Sequence, residues 1–558
     1  MTGDGALDAI DRLVDGFVVD EPVPGVAYGV ISGGELIHAR GLGTTRVGEG
    51  TTPTADTVFR IASMTKSFTA ATVLLLRDAG ALRLDDPAAG YVPELAAMPT
   101  ITVRQLLTMS AGFPTDDPWG DRQQDLDLDR FSALLRKGAS FAWTPGTAFE
   151  YSNLGYGILG RVITNVAAAE YRDVVRERIL DPLGMTSTVY DATEVEPGRL
   201  AIGYLRRDDA FVEVPFDGYG ALAAMGGLFS TVRDLATWVA GFARAFDDDD
   251  PTHPLGRASR LEMQQAQRSI PPEVTWSSIR ELPTASVAGY GFGLFVRQDL
   301  ELGTIVAHSG GYPGFGSHMR WHPASGLGVV VLGNRTYVPA LKVGEQMLRT
   351  LVRAEVAPSR RLRATPALER ARDSVERLLD TWDEELAAAT FSMNVDLDEP
   401  LEIRRATLAR LRDVHGGFRR SDEPVVHDSP FHAAWWLEAE RGRIRVEITL
   451  DPELEPRVQS LDVTSVPDPG ELVREAAEQR VGSVNAEAPE GDAALIRTLF
   501  GPCVLGPPIA SGADGATYRV TGDRGALELA ISVDAESGEV TATTWTPTTV
   551  RPPFFDVR

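Results

Sequence analysis

Lysine stands at only three positions, 66, 137 and 342, in a chain with 54 lysines and arginines. The first lies in RIASMTKSFTAATVLLLRDAGAL, residues 60–82, three places after Ser63 and at the head of an apolar run. Helix positions i and i+3 face the same way, so the Ser63 hydroxyl and the Lys66 amine would emerge side by side from a first turn. Phe68, Ala70, Ala71, Val73, Leu74, Leu75 and Leu76 are apolar nearly all round, which predicts a helix inside the core. Burial and the positive helix N-terminus both disfavour an ammonium, so the Lys66 pKa should fall until the amine can take a proton from Ser63. Arginine could not serve there, because it keeps its proton under protein conditions.

Two later stretches add polar groups. FEYSNLGYGILGRVI sets Tyr151 two residues before Asn153, just after the turn WTPG, and VAHSGGYPGFGS places His308, Ser309, Gly310 and Gly311 at the end of an apolar strand. In this order, S-x-x-K, Y-x-N and H-x-G resemble the penicillin-recognising serine hydrolases. The likeness is greatest to the branch that holds class C β-lactamases, D-aminopeptidases and related esterases. ITVRQLLTMSAG, PGTAFEYSNLGYGILG, GGLFSTVRDLATW and GYGFGLF add to it, and it covers about residues 10–350. The resemblance implies an α+β fold, a β-lactamase-like sandwich of an antiparallel sheet and helices. It implies that Ser63 is acylated and that Lys66 is the first base. Tyr151 would share protons with both and pass one to the leaving group, its own acidity raised by the nearby cation. Asn153 would orient Lys66 and hold a substrate carbonyl. The backbone N–H groups of Ser63 and Gly311 would form an oxyanion hole, with His308 in the catalytic set and Ser309 and Gly310 beside the substrate.

Dedicated β-lactamases usually have K-T-G where this chain reads His308-Ser309-Gly310. A lysine there offers a lasting charge to a carboxylate, whereas a histidine is mostly neutral at pH 7. The resemblance therefore implies a D-aminopeptidase-like or esterase-like hydrolase that cleaves amides, short peptides or esters through a Ser63 acyl-enzyme. A β-lactamase or D-Ala-D-Ala carboxypeptidase is the alternative, and a non-catalytic binding protein on the same fold is a second. Neither a metal nor an organic cofactor is expected. His427 and His432 are five apart with no third ligand. The glycines after His308 are not followed by G-K-[ST], and no G-x-S-x-G occurs.

The elements that must position these groups can be read around them. Residues from about 20 to 45 alternate as strands, with a hairpin turn at Ser32-Gly33-Gly34-Glu35. Thr102 with Gln105 and Thr231 with Asp234 have capping-box spacing ahead of two helices. Strand signals return at Tyr290–Val296, Thr304–His308, Ser317–His322 and Gly328–Leu332, so strands from both ends of this region can share one sheet around a helical middle. These readings divide the chain into a hydrolase domain over residues 1–355, a linker over 356–368, and two small α+β modules over 369–467 and 468–558. The modules are suggested by a weak repeat: RGRIRVEITLDPE, residues 441–453, aligns without gaps to RGALELAISVDAE, residues 524–536.

Composition bounds the partners. A hydrophobic fraction of 43% over 558 residues supports a sizeable core. A formal charge of −25 argues against nucleic acid and anionic membranes and leaves a small molecule or short peptide as the expected partner. A homodimer is compatible with the sequence. The single cysteine, Cys503, permits no internal disulfide and fits a reducing compartment. MTGDGALDAIDRLVDGF carries acids where a signal peptide needs bases, so a cytoplasmic location is expected.

Overall fold

The computed structural model describes residues 3–247, 250–277, 282–299, 302–358, 364–523 and 525–548. The chain divides into two compact units, Met1–Arg360 and Arg361–Arg558.

In the first unit, strands from both ends of its sequence build one eight-stranded antiparallel sheet. Its strands are β1 (Gly25–Ser32), β2 (Glu35–Gly43), β3 (Arg268–Ser277), β4 (Leu282–Tyr290), β5 (Phe295–Asp299), β6 (Gly303–Tyr312), β7 (Phe315–His322) and β8 (Leu327–Gly333). The spatial order is β2-β1-β8-β7-β6-β5-β4-β3, so the first two strands and the last six meet at β1 and β8. Between β1 and β2 the two-residue turn Gly33-Gly34 has φ of 58° and 84°, the doubly positive pattern that matches hairpin twist and favours glycine.

Both faces of this sheet are covered. Val26, Tyr28 and Val30 of β1 and Val329 and Val331 of β8 pack against α1 (Gly3–Asp20) and the helix that follows β8, Ala340–Arg353. The opposite face supports the larger core, which includes α2 (Thr65–Asp78), α3 (Asn153–Ala167) and α4 (Val232–Arg244). Thr102 and Gln105 form a full capping box. Thr231 caps α4 by accepting from the Asp234 N–H, but the Asp234 carboxylate accepts from Ser187 and Thr188 instead of reaching back. The strand expected over Tyr290–Val296 is interrupted: β4 ends at Tyr290 and β5 starts at Phe295. The turn between them holds Gly293 at φ 71°, where a Cβ would come within 2.6 Å of the Lys66 carbonyl oxygen. The β4–β5 turn therefore packs directly on α2.

The second unit contains two four-stranded antiparallel meanders, each preceded in sequence by helices. The first comprises β9 (Phe418–Arg420), β10 (His432–Ala439), β11 (Arg443–Leu450) and β12 (Val458–Val466); the second comprises β13 (Cys503–Ser511), β14 (Gly515–Gly522), β15 (Gly525–Val533) and β16 (Val540–Pro547). Trp435, Leu437, Ile444, Val446 and Ile448 lie in one core, and Tyr518, Val520, Leu527, Leu529 and Ile531 in another. The aligned segments 441–453 and 524–536 correspond to β11 and β15. Each strand shifts register at the same aligned point, Thr449/Leu450 and Ser532/Val533. Each then leads to an aspartate, Asp451 or Asp534, whose side chain accepts backbone N–H bonds in the next turn. Of the linker expected at 356–368, residues 359–363 lie outside the described residues. Its end is already helical: Thr365 caps a helix whose first residue is Pro366, a position where the missing N–H costs nothing. No helix among the described residues is long and apolar enough to cross a membrane.

Gly310 in β6 fixes how the sheet meets the segment before α2. A Cβ there would fall 2.1 Å from the Ile61 carbonyl oxygen and 2.3 Å from Ser317 Oγ, which itself donates to that carbonyl at 2.8 Å. Neither neighbour is the tip of a flexible side chain. Gly310→Ala is expected to lower the unfolding free energy by about 1–3 kcal/mol, read from urea denaturation midpoints at constant slope.

Candidate active site

Ser63 does not begin α2. It sits in a single 3-10 turn, Ala62–Met64, and α2 starts at Thr65. Side chains three apart nearly eclipse in a 3-10 turn, which brings Ser63 over Lys66. Ala62 holds φ at 48°, a left-handed conformation uncommon for a residue with a Cβ. The turn is anchored from behind by the Ile61 carbonyl, packed against Gly310 and Ser317 of the sheet.

Lys66 is 0% exposed. Its Nζ donates to Ser63 Oγ at 2.9 Å, to Asn153 Oδ1 at 2.7 Å and to the Met225 carbonyl at 2.7 Å. It also lies 4.9 Å from the centre of the Tyr151 ring. Burial lowers its pKa to about 8, while the charges of Asp117, Asp121 and Asp116 oppose the fall.

Those three acids also order the site. Asp116 accepts from the backbone N–H groups of Asn153 and Leu154 at 2.6 and 2.8 Å, fixing the start of α3. Asp117 Oδ1 accepts from Asn153 Nδ2 at 2.8 Å. With its amide nitrogen committed to that oxygen, Asn153 must turn its own oxygen to Lys66. Desolvation raises the Asp116 pKa and takes that of Asp121 to about 6. Asp121 accepts from the Tyr337 hydroxyl at 2.5 Å.

Tyr151 lies beside Ser63, whose side chain favours the ionised phenol. The acidity expected for it is not found. Desolvation, then the charge of Asp117, push its hydroxyl well above the ordinary tyrosine value. Burial is the largest cause, and it favours the neutral phenol whatever cation lies nearby.

His308 is 1% exposed, and burial lowers its pKa to about 3. Both ring nitrogens are engaged: Nδ1 with the Ser309 carbonyl at 2.6 Å and Nε2 with the Tyr290 hydroxyl at 3.1 Å. A carbonyl can only accept, so Nδ1 carries the proton and Tyr290 donates to Nε2. Ser309 departs from its expected place beside a substrate. Strand alternation turns it to the other face of the sheet from His308, where Oγ meets His318 Nδ1 at 2.8 Å. Gly310 packs on Ile61 as described. Gly311 faces the ring of Tyr337, whose Cδ1 a Cβ would approach to 2.6 Å. β5 pairs with β6 only as far as Ala307, which leaves the β6 edge from His308 to Tyr312 open beside Ser63.

The sequence reading did not single out the acids, the Met225 carbonyl, Tyr156 or Tyr290. Tyr156 lies behind Lys66 with its hydroxyl on the Leu107 carbonyl, and nothing in the spacing of either tyrosine marks it as part of the site. A main-chain acceptor such as Met225 leaves no mark in a sequence.

Residues 10–354 match the family described as Beta-lactamase. Over 347 residues the chain is 27% identical to the D-alanyl-D-alanine-carboxypeptidase/endopeptidase AmpH of Escherichia coli (strain K12), covering 60% of this chain and 86% of that protein. It is 29% identical over 343 residues to Protein flp of Staphylococcus aureus (strain N315), covering 60% of this chain and 64% of flp. Among solved structures, the octameric penicillin-binding protein homologue from Pyrococcus abyssi shares the fold, with a TM-score of 0.53 and 20% identity over 95% of this chain and 96% of that one. The family match takes in more than half of the sequence, and with it the chain belongs to the β-lactamase family of serine hydrolases.

Proposed function

We propose that this enzyme cleaves amides or short peptides with a small acyl group, in the manner of a D-aminopeptidase, and esters of the same acyl groups, through a Ser63 acyl-enzyme. The observation that carries the reading is the buried Lys66 amine 2.9 Å from Ser63 Oγ, with its pKa brought to about 8. Tyr151 is held far above its ordinary value, so Lys66 is the group that can be a free base near neutrality.

Neutral Lys66 takes the Ser63 proton as Oγ bonds to the substrate carbonyl carbon. The N–H groups of Ser63 and Gly311 hold the oxyanion. Tyr151 gives its proton to the leaving amine or alcohol as the old bond breaks, and recovers one from Lys66. Water then attacks the Ser63 ester, its proton passing back along the same groups, and the acid and free Ser63 result. His308 keeps the β6 edge in place as a neutral ring. It offers no charge to a substrate carboxylate, which favours substrates without a required free C-terminus. The likeness to AmpH, a D-alanyl-D-alanine-carboxypeptidase/endopeptidase, favours a second reading, a D-Ala-D-Ala carboxypeptidase. Turnover of nitrocefin or a D-Ala-D-Ala peptide well above that of a D-Ala p-nitroanilide and a p-nitrophenyl ester would place the second reading first. The single cysteine, which permits no internal disulfide, supports a cytoplasmic location.

Three outcomes check the mechanism. A fluorophosphonate probe should add mass to the wild type and not to Ser63→Ala. Because the base must be neutral, kcat/KM should rise about tenfold per pH unit below pH 8 and level off above it; Lys66→Arg, which keeps charge without a base, should lose on the order of 10³-fold. Asp117→Asn removes the largest charge holding the Lys66 pKa up, so the acidic limb should move down by roughly one pH unit, and a limb that moves up contradicts the assignment.

A further inference from the structure

Beyond Gly311 the site is bounded by a residue that the proton transfers do not use. Tyr337 lies in the loop after β8 and holds φ at 49°. Its backbone is pinned there. The N–H donates to the Phe315 carbonyl at 3.1 Å, and the adjacent Thr336 Oγ1 accepts from the Gly314 N–H at 2.8 Å and donates to the Tyr204 carbonyl at 3.0 Å. From this base the ring runs past Gly311, close enough that a Cβ on Gly311 would meet its Cδ1 at 2.6 Å. The hydroxyl ends on Asp121 Oδ2 at 2.5 Å. Asp121 is 5% exposed and directly follows the helical turn Asp117–Gly120, whose first residue orients Asn153. Tyr337 therefore spans from the open β6 edge to the segment that positions Asn153, and the residue is 50% exposed. A residue held in a strained conformation by its surroundings, with one tip bonded across a cleft, is placed to limit what enters.

We propose that Tyr337 and Asp121 form a crossbar that closes the acyl end of the cleft and restricts the enzyme to short acyl groups. The proposal rests on the Ser63 acyl-enzyme reading. Tyr151 serves the leaving group, so the group that runs past Gly311 toward Asn153 and Asp121 is the acyl chain. A long chain meets the Tyr337 ring before it clears Gly311.

The test measures kcat/KM on p-nitrophenyl acetate, butyrate and octanoate for the wild type, Tyr337→Gly and Tyr337→Phe. Glycine adopts a positive φ freely, so Tyr337→Gly removes the ring without adding strain. The octanoate-to-acetate ratio should rise by about tenfold or more in Tyr337→Gly, and by less in Tyr337→Phe, which keeps the ring and loses the bond to Asp121. An unchanged ratio in Tyr337→Gly overturns the crossbar; if that variant does not fold, the ratio in Tyr337→Phe decides in its place. Ser63→Ala separates the two claims. Ester turnover that survives it overturns the acyl-enzyme reading and the crossbar with it. Turnover abolished by it, with the ratio unchanged, overturns the crossbar alone.

Discussion

A primary amine with no access to water governs the first unit. Transfer of an ammonium out of solvent is costly unless every proton finds an acceptor. Lys66 finds three, and each comes from a different part of the chain: the 3-10 turn at Ser63, the start of α3 at Asn153, and the main chain at Met225. None of these can shift without stranding the amine. The acids at 116 and 117 hold Asn153 and the start of α3, and Gly310 holds the segment that carries Ser63. The requirement to satisfy one nitrogen thus reaches into the sheet and several helices.

The same burial acts with opposite sign on different groups, and together these set the character of the site. It lowers the basicity of Lys66 and His308 and raises the pKa of Tyr151, Asp116 and Asp121. In every case the neutral form gains. Lys66 and His308 start from different ordinary basicities, and burial lowers both. Lys66 faces three carboxyl groups and stays within reach of physiological pH, while His308 faces Lys66 and a tyrosine and falls far below it. A low-dielectric site with one adjustable base is suited to reactions in which charge appears only briefly.

Local rules carried much of this into the sequence. Spacing of three predicts the contact of Ser63 with Lys66, the double glycine at 33–34 predicts the hairpin, and the Thr102–Gln105 pair predicts a capped helix. The sheet and its helical partners follow from the order of strand and helix signals. Features set by close approach could not be read in this way. Asp116, Asp117 and Asp121 look like surface acids in a chain with 79 acidic residues, because nothing in their spacing announces that Asp121 is buried or that the other two hold Asn153. Ser309 was grouped with His308 by adjacency along the chain, although neighbours on a strand point to opposite faces. The acidity of Tyr151 was judged from one neighbouring cation, while desolvation and the more distant carboxylates decide it. Gly310 is expected beside the substrate, whereas it leaves room for a carbonyl from a segment 249 residues earlier.

The matching irregularity of β11 and β15 shows how each meander ends its central strand. A register shift lets the strand bend and twist more sharply than a regular ladder does, and in both sheets it comes one residue before an aspartate that closes the next turn. Each meander bends in this way around an interior of its own, so a substitution in one core is expected to loosen that sheet and not the other.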